Sequence, residues 1–214
     1  VSSRTIFKSD IIRYFRGNFF NLHDSMLPIE RGGGLNSWRI LLNRGKVGNT
    51  IHRIDKGIDT GEIIYQREIK LKKKYPKPID FDYSQKQNSK IILMKFLKDL
   101  KKNKIKNSKK QLYNYNEREY FSRLYTKVNG ALDVDLPPVE FERFVRAFSE
   151  PYPGAWIKIS RKTIVFLKDI KIINKKKYYP KFANGRILRK DKNGVYVIIG
   201  QGLVKLEKCF LKNK

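Results

Sequence analysis

The sequence predicts an α/β unit followed by a small β-rich domain, barrel-like or OB-like. Two observations carry this. Near the start, a helix-like segment runs directly into a short apolar strand, the mark of an α/β unit with a parallel sheet. From Ala155 onward only short strand-like runs remain, each bounded by turn residues. The 214 residues suffice for one large or two small domains, and a hydrophobic content of 40% supports a packed core rather than global disorder.

The elements follow in order. Lys8 to Arg16 reads as a helix with Ser9 as N-cap, stopped by Gly17-Asn18. Phe19 to His23 is a short strand, and Pro28 to Gly34 a loop whose Arg31-Gly32-Gly33-Gly34 allows close backbone approach. Leu35 to Leu42 is a helix ending near Gly45. Val47 to Ile54 and Gly61 to Leu71 are strands, the second with Ile63, Tyr65 and Ile69 on one parity. After a Lys-Pro loop at 72–78, Ile91, Ile92, Leu93, Phe96, Leu97 and Leu100 give helical spacing over 89–100. Residues 101–119 are polar and basic and read as a linker or exposed loop. Pro137-Pro138 opens a helix over 139–148, with Glu140 and Glu142 in its first turn. Pro151 to Gly154 breaks it, and strands follow at 156–159, 163–173, 185–189, 195–200 and 203–206. No internal repeat is present.

Lys and Arg number 48 against 20 Asp and Glu, a formal charge of +28. That charge suits a nucleic acid, an anionic surface or a polyanionic substrate such as a nucleotide; it also suits a Lys-, Asn- and Ile-heavy composition with no specific target. The single cysteine, Cys209, excludes an internal disulfide framework and a multi-thiolate metal site, and its apolar neighbours predict a buried, inert thiol. No apolar run has the length of a membrane span and no signal peptide is visible, so a soluble, cytoplasmic protein with no membrane partner is expected. A start at Val1 rather than Met suggests a fragment or a processed product.

Chemistry concentrates in two segments, Asn21-Leu-His-Asp-Ser-Met-Leu-Pro28 and Asp55-Lys-Gly-Ile-Asp-Thr-Gly61. Alternate residues of a strand share a face, so Asn21 and His23 point into one space. Asp59, in a Gly-flanked turn, is placed to meet them. An amide, an imidazole and a carboxylate supply acid–base chemistry on a carbonyl group. Two other readings stand beside this one. Asn21 caps a strand end and His23 is a satisfied core histidine; or His23, His52, Asp55 and Asp59 ligate a metal, although no spacing fixes that geometry.

The first segment, followed by Arg31-Gly32, resembles the signature of the folate-dependent formyltransferases, a family that includes the methionyl-tRNA enzymes. So does Thr50-Ile-His-Arg-Ile-Asp-Lys-Gly-Ile-Asp-Thr-Gly-Glu-Ile-Ile64, and Asp59 follows His23 by 36 residues, the interval expected there. Tyr120-Phe-Ser-Arg-Leu-Tyr-Thr-Lys-Val-Asn-Gly130 resembles the segment joining the family's two domains. Arg146-Ala-Phe-Ser-Glu-Pro-Tyr-Pro-Gly-Ala155 resembles the entry to the second. The resemblance implies a Rossmann-like formyltransferase domain over 1–125, then a linker and OB-like domain over 126–214. It implies 10-formyltetrahydrofolate as cosubstrate, a primary amine as acceptor, and no metal. Carried over by position, His23 is the general acid/base, Asn21 stabilises the oxyanion, and Asp59 raises the pKa of His23. Folate contacts fall on the backbone around Ser25, Met26, Leu27, Pro28 and Gly33, and on Asp55, Lys56, Gly57 and Ile58. Met26 stands where a Leu is usual, and Asn49 where a small apolar residue is usual.

The family divides by acceptor. Gly32-Gly-Gly-Leu-Asn-Ser-Trp-Arg39 and Glu150-Pro-Tyr-Pro-Gly154 resemble the sugar N-formyltransferases, which implies an amino sugar on a UDP or dTDP carrier and pairing as a homodimer through C-terminal regions. Methionyl-tRNA is the second acceptor, favoured by the charge. Outside the family, Lys interleaved with Tyr113, Tyr115, Tyr120, Phe121 and Tyr125 suits a nucleic-acid-binding protein, unless these rings simply pack the linker. Only 20 residues precede Asn21, fewer than the family places there, which predicts a piece of a longer product or a chain inactive alone.

Overall fold

The computed structural model describes residues 6–44, 46–71, 73–105, 108–112, 120–158, 160 and 163–213. The chain forms two compact units: Val1–Leu35, Gly45–Lys74 and Asp80–Arg123 in one, Asn36–Arg44, Tyr75–Ile79 and Leu124–Lys214 in the other. Among the described residues, no helix is long and apolar enough to cross a membrane.

The first unit is built on a three-stranded sheet of order β1-β3-β4, with β1 at Phe20–His23, β3 at Lys46–Arg53 and β4 at Ile63–Lys70. The expected parallel pairing is not what these strands do: β3 runs antiparallel to both neighbours. For β3 and β4 the reason is local. Only the turn 54–62 separates β3 from β4, too short for a parallel crossover, which needs a dozen residues or more. One parallel pair occurs instead between two short strands within the predicted loop and linker, β2 at Arg31–Gly32 and β5 at Tyr120–Phe121.

Helix α3, Pro78–Lys101, is longer than the apolar spacing indicated. Its buried stripe runs Phe81, Gln85, Asn88, Ile92, Phe96, a helical i+3/i+4 series whose N-terminal half is polar and therefore unreadable as a stripe. Ile92 and Phe96 form a core with Ile51, joined by Phe20, Leu22, Ile64, Tyr65 and Ile105. Phe20 and Phe96 meet edge to face at 5.0 Å between ring centres. Helix α1, Ser9–Tyr14, starts at Ser9 rather than being capped by it; Lys8 holds the cap position in extended backbone, with no side-chain cap.

The second unit contains α2 (Leu35–Leu41), α4 (Thr126–Asn129) and α5 (Pro138–Ala147), with a five-stranded antiparallel sheet. Its strands are β6 (Ala155–Lys158), β7 (Thr163–Asn174), β8 (Ile187–Asp191), β9 (Gly194–Ile199) and β10 (Gly202–Asn213), in the order β6-β7-β10-β9-β8. The β-rich C-terminal domain is therefore as expected. Helix α5, with Phe141 and Val145 buried, packs on β7, and Ser37 of α2 donates to the Ala147 carbonyl at 2.8 Å. Strand β10 extends well beyond Leu206, through register shifts at Leu206–Lys208 and Lys208–Cys209. These bulges break the alternation and leave Cys209 exposed, not buried as its apolar neighbours suggested. Ile159, expected in a strand, and Tyr113 and Tyr115, expected in the linker, lie outside the described residues.

Candidate active site

The pleat sorts the residues of β1 and β3. Asn21 lies opposite His52 and His23 opposite Thr50, so these four share one face, while Phe20, Leu22 and Ile51 share the other with α3. The turn after β3 then folds over the polar face. It closes with Arg53 N–H donating to the Glu62 carbonyl, and Asp59 takes a left-handed backbone, φ 53°.

Asn21, His23 and Asp59 are thereby brought together. His23 Nδ1 lies 3.7 Å from Asp59 Oδ2, with both side chains largely buried. Asn21 Nδ2 donates to Asp59 Oδ1 at 3.5 Å. His23 Nε2 lies 3.0 Å from the Glu30 carbonyl oxygen. A carbonyl only accepts, so this nitrogen carries hydrogen and Nδ1 is left facing Asp59. Gly32 N–H holds Asp59 Oδ2 at 3.0 Å. Gly32 has φ 95°, and a Cβ there would collide with the Phe121 carbonyl oxygen, so this donor position requires glycine.

Two effects oppose each other at His23. Burial lowers its pKa, and the Asp59 carboxylate, with the Glu30 carbonyl, raises it; burial wins, so the ring sits below its ordinary value and is mainly neutral near pH 7. Asp59 does push in the expected direction, but does not lift His23 above normal. At Asp59 burial raises the pKa, and the neighbouring imidazoles of His52 and His23 with the Gly32 N–H outweigh it, leaving a carboxylate.

The segments expected to contact folate are placed as follows. The 24–28 loop is fastened from behind: Thr50 Oγ1 donates to the Ser25 carbonyl at 2.6 Å and accepts Leu27 N–H at 3.2 Å, Gln66 donates to the Leu27 carbonyl, and Gln85 of α3 donates to the Asp24 carbonyl at 2.7 Å. Ser25 and Leu27 are buried, Met26 covers Gly48 of β3, and Pro28 is half-buried. Gly33 N–H is bonded to the Phe121 carbonyl. In the second loop Asp55 accepts from Gly57 N–H and the Thr60 hydroxyl, while Lys56, Gly57 and Ile58 are exposed. Among the described residues no group of three or more His, Cys, Asp and Glu is arranged to hold a metal ion.

Three contributors went unassigned in the sequence. His52, considered only as a metal ligand, is buried with its Nε2 3.2 Å from Asn21 Nδ2; its place opposite Asn21 becomes evident only with the strand register. Gln111, in the segment read as linker, donates to the carbonyls of Asp59 and Gly61 at 2.9 and 2.6 Å and clamps the turn that carries Asp59; no local signal marks it. Asn49, unusual by resemblance, is fully buried. It donates to Asp24 Oδ1 at 2.7 Å and to Ser89 Oγ at 3.0 Å, and accepts from Asn88 at 2.6 Å.

Comparison with known proteins finds two family matches along the chain. Residues 3–112 match the family described as Formyl transferase, and residues 125–214 match Formyl transferase, C-terminal domain. The chain is 26% identical to the methionyl-tRNA formyltransferase of Agathobacter rectalis over 211 residues, 98% of this chain and 64% of that protein. It is 28% identical to the GDP-perosamine N-formyltransferase of Brucella melitensis over 160 residues, 74% of this chain and 59% of that protein. The chain thus spans less than two thirds of the length of these relatives. In fold it resembles the N-formyltransferase of Helicobacter canadensis, solved with folinic acid and dTDP-3-aminofucose, at a TM-score of 0.70 and 21% identity over 97% of this chain and 72% of that one.

Proposed function

Since this chain belongs to the formyl transferase family, we propose that it takes part in moving a formyl group from 10-formyltetrahydrofolate to the primary amine of an amino sugar carried on a nucleotide. The observation that carries this reading is the buried meeting of Asn21, His23 and Asp59 on one face of β1. The donor supplies the formyl group. Its support would come from the backbone of Ser25, Met26, Leu27 and Pro28, from Gly33, and from Asp55, Lys56, Gly57 and Ile58. A loop fastened from behind by Thr50, Gln66 and Gln85 costs little further ordering when it meets a ligand.

The residues suit the chemistry. When an amine adds to a formyl carbon, the carbonyl oxygen gains negative charge and the amine nitrogen must lose a proton. Asn21 Nδ2–H, held by a bond of only 3.5 Å to Asp59, is available to that oxygen. Asn21 Oδ1 is buried and has no partner among the described residues, which suits a hydrogen brought in by the amine. His23, mainly neutral, accepts a proton at Nδ1 and returns it to the departing nitrogen; Asp59 stabilises the imidazolium in between.

For the acceptor, the Gly32–Arg39 and Glu150–Gly154 motifs and the likeness to the GDP-perosamine enzyme support a nucleotide sugar. A second reading, methionyl-tRNA, is favoured by the charge of +28 and by a match along 98% of the chain. The test offers 10-formyltetrahydrofolate with UDP- or dTDP-linked amino sugars in one arm and methionyl-tRNA in the other. N-formyl sugar is expected; formylation of methionyl-tRNA alone, with binding lost steeply as salt rises, overturns the sugar reading.

A further inference from the structure

We infer that His52 is a positioning residue that fixes which end of the Asn21 carboxamide faces the reacting oxygen. The inference rests on the proposed role of Asn21 as hydrogen-bond donor, and its observations are separate from that role. His52 Nδ1 lies 2.7 Å from the Arg53 carbonyl oxygen. Since the carbonyl only accepts, Nδ1 carries the hydrogen; since an amide nitrogen only donates, Nε2 facing Asn21 Nδ2 presents its lone pair. That lone pair is 3.2 Å from Asn21 Nδ2, within hydrogen-bond reach, and 3.6 Å from Asp59 Oδ1, beyond it.

The consequence is an asymmetry in the amide. With Nδ2 inward, its two hydrogens meet two acceptors, the His52 lone pair and Asp59 Oδ1. Turned over, the amide would set Oδ1 against both acceptors. The observed orientation leaves Oδ1 buried without a partner among the described residues, a cost that the pair of acceptors offsets. The ring itself is immobilised, 2% exposed on the central strand β3. His52 therefore acts through Asn21: it presents an N–H, not a carbonyl oxygen, to the charge that develops beside Asp59.

The test has two parts. In the ¹⁵N-labelled chain, the His52 ring should show a protonated Nδ1 and an unprotonated Nε2, and N21A should shift the Nε2 resonance towards its unbonded position. A proton resident on Nε2 in the unsubstituted protein overturns the inference, whatever the activity. In turnover, H52L frees the amide to rotate and should lower kcat about 10- to 100-fold with KM changed less than about threefold, the scale of a misplaced catalytic group. H52Q, whose Oε1 can accept the same hydrogen, should restore most of kcat. If H52L matches the unsubstituted protein while N21A is inactive, the inference fails and the role of Asn21 stands; if N21A is fully active, the reading of Asn21 fails instead.

Discussion

On one face of the β1-β3-β4 sheet, Phe20, Leu22 and Ile51 meet Ile92 and Phe96 of α3; on the other, Asn21, His23, Thr50 and His52 meet the turn that carries Asp59. The same two strands make both faces. The apolar face is held by burial, which is non-directional. The polar face is held by hydrogen bonds of fixed geometry, and it includes Asp59 and Glu30 in left-handed backbone and an unpartnered amide oxygen. Stability is gathered on one side and spent on the other, so a change on either side should have its own signature.

The largest effects test that separation directly. H23Q, on the polar face, removes the proton carrier but fits the same space. It should reduce formyl transfer about 10²- to 10⁴-fold with little loss of stability. F96A, on the apolar face, should cost about 3–5 kcal/mol in urea unfolding, while the fraction that remains folded keeps its turnover. Paired kinetics and unfolding would break the comparison if F96A lost turnover in the folded protein, or if H23Q unfolded it.

A smaller effect probes the place where the division is not clean. Asn49 and Asn88 sit on the α3 side, yet they are polar and buried. Asn88 donates to Asn49 Oδ1 and to the Arg67 carbonyl and accepts from Arg67. Asn49 in turn reaches Asp24, at the start of the loop assigned to the donor. N88L should cost about 1–3 kcal/mol, because it strips the partners from groups that stay buried. It should raise KM for the donor before it lowers kcat. A stability gain, as expected for a simple apolar site, would show that these polar groups do not form a working scaffold.

The same contrast explains what was legible in the sequence. Period-two alternation exposed Asn21 and His23 on one face, and the Gly-flanked turn exposed Asp59. The C-terminal strands were visible for the same reason. What stayed hidden depends on register or on distance along the chain. His52 joins Asn21 only when β3 pairs antiparallel with β1, and Gln111 reaches Asp59 from 52 residues away. The first half of α3 carried no readable helical pattern because Gln85 and Asn88 occupy its buried stripe, and they do so because they hold backbone and side chains near the site. Polar residues that position a site erase the pattern by which a helix is recognised.

The smallest expected effect is a change with pH, and its sign follows from the balance at His23. Burial keeps the folded ring below its ordinary value of 6.5 despite the pull of Asp59. As pH falls below 6.5 the unfolded chain therefore binds a proton that the folded chain still refuses, and stability declines until the folded value is reached. Asp59 moves the other way: its folded pKa lies below 3.8, so its stabilisation is present above that value and is lost only as pH falls through the folded one. Between pH 6.5 and about 5 the loss should thus come from the polar face through His23 rather than from carboxylates. Urea midpoints compared at the two pH values should fall for the unsubstituted protein and fall less for H23Q. D59N should extend the decline to lower pH, because losing the carboxylate lowers the folded value of His23 further. An equal decline in H23Q would assign it to another group and remove His23 from the account of how the polar face costs stability.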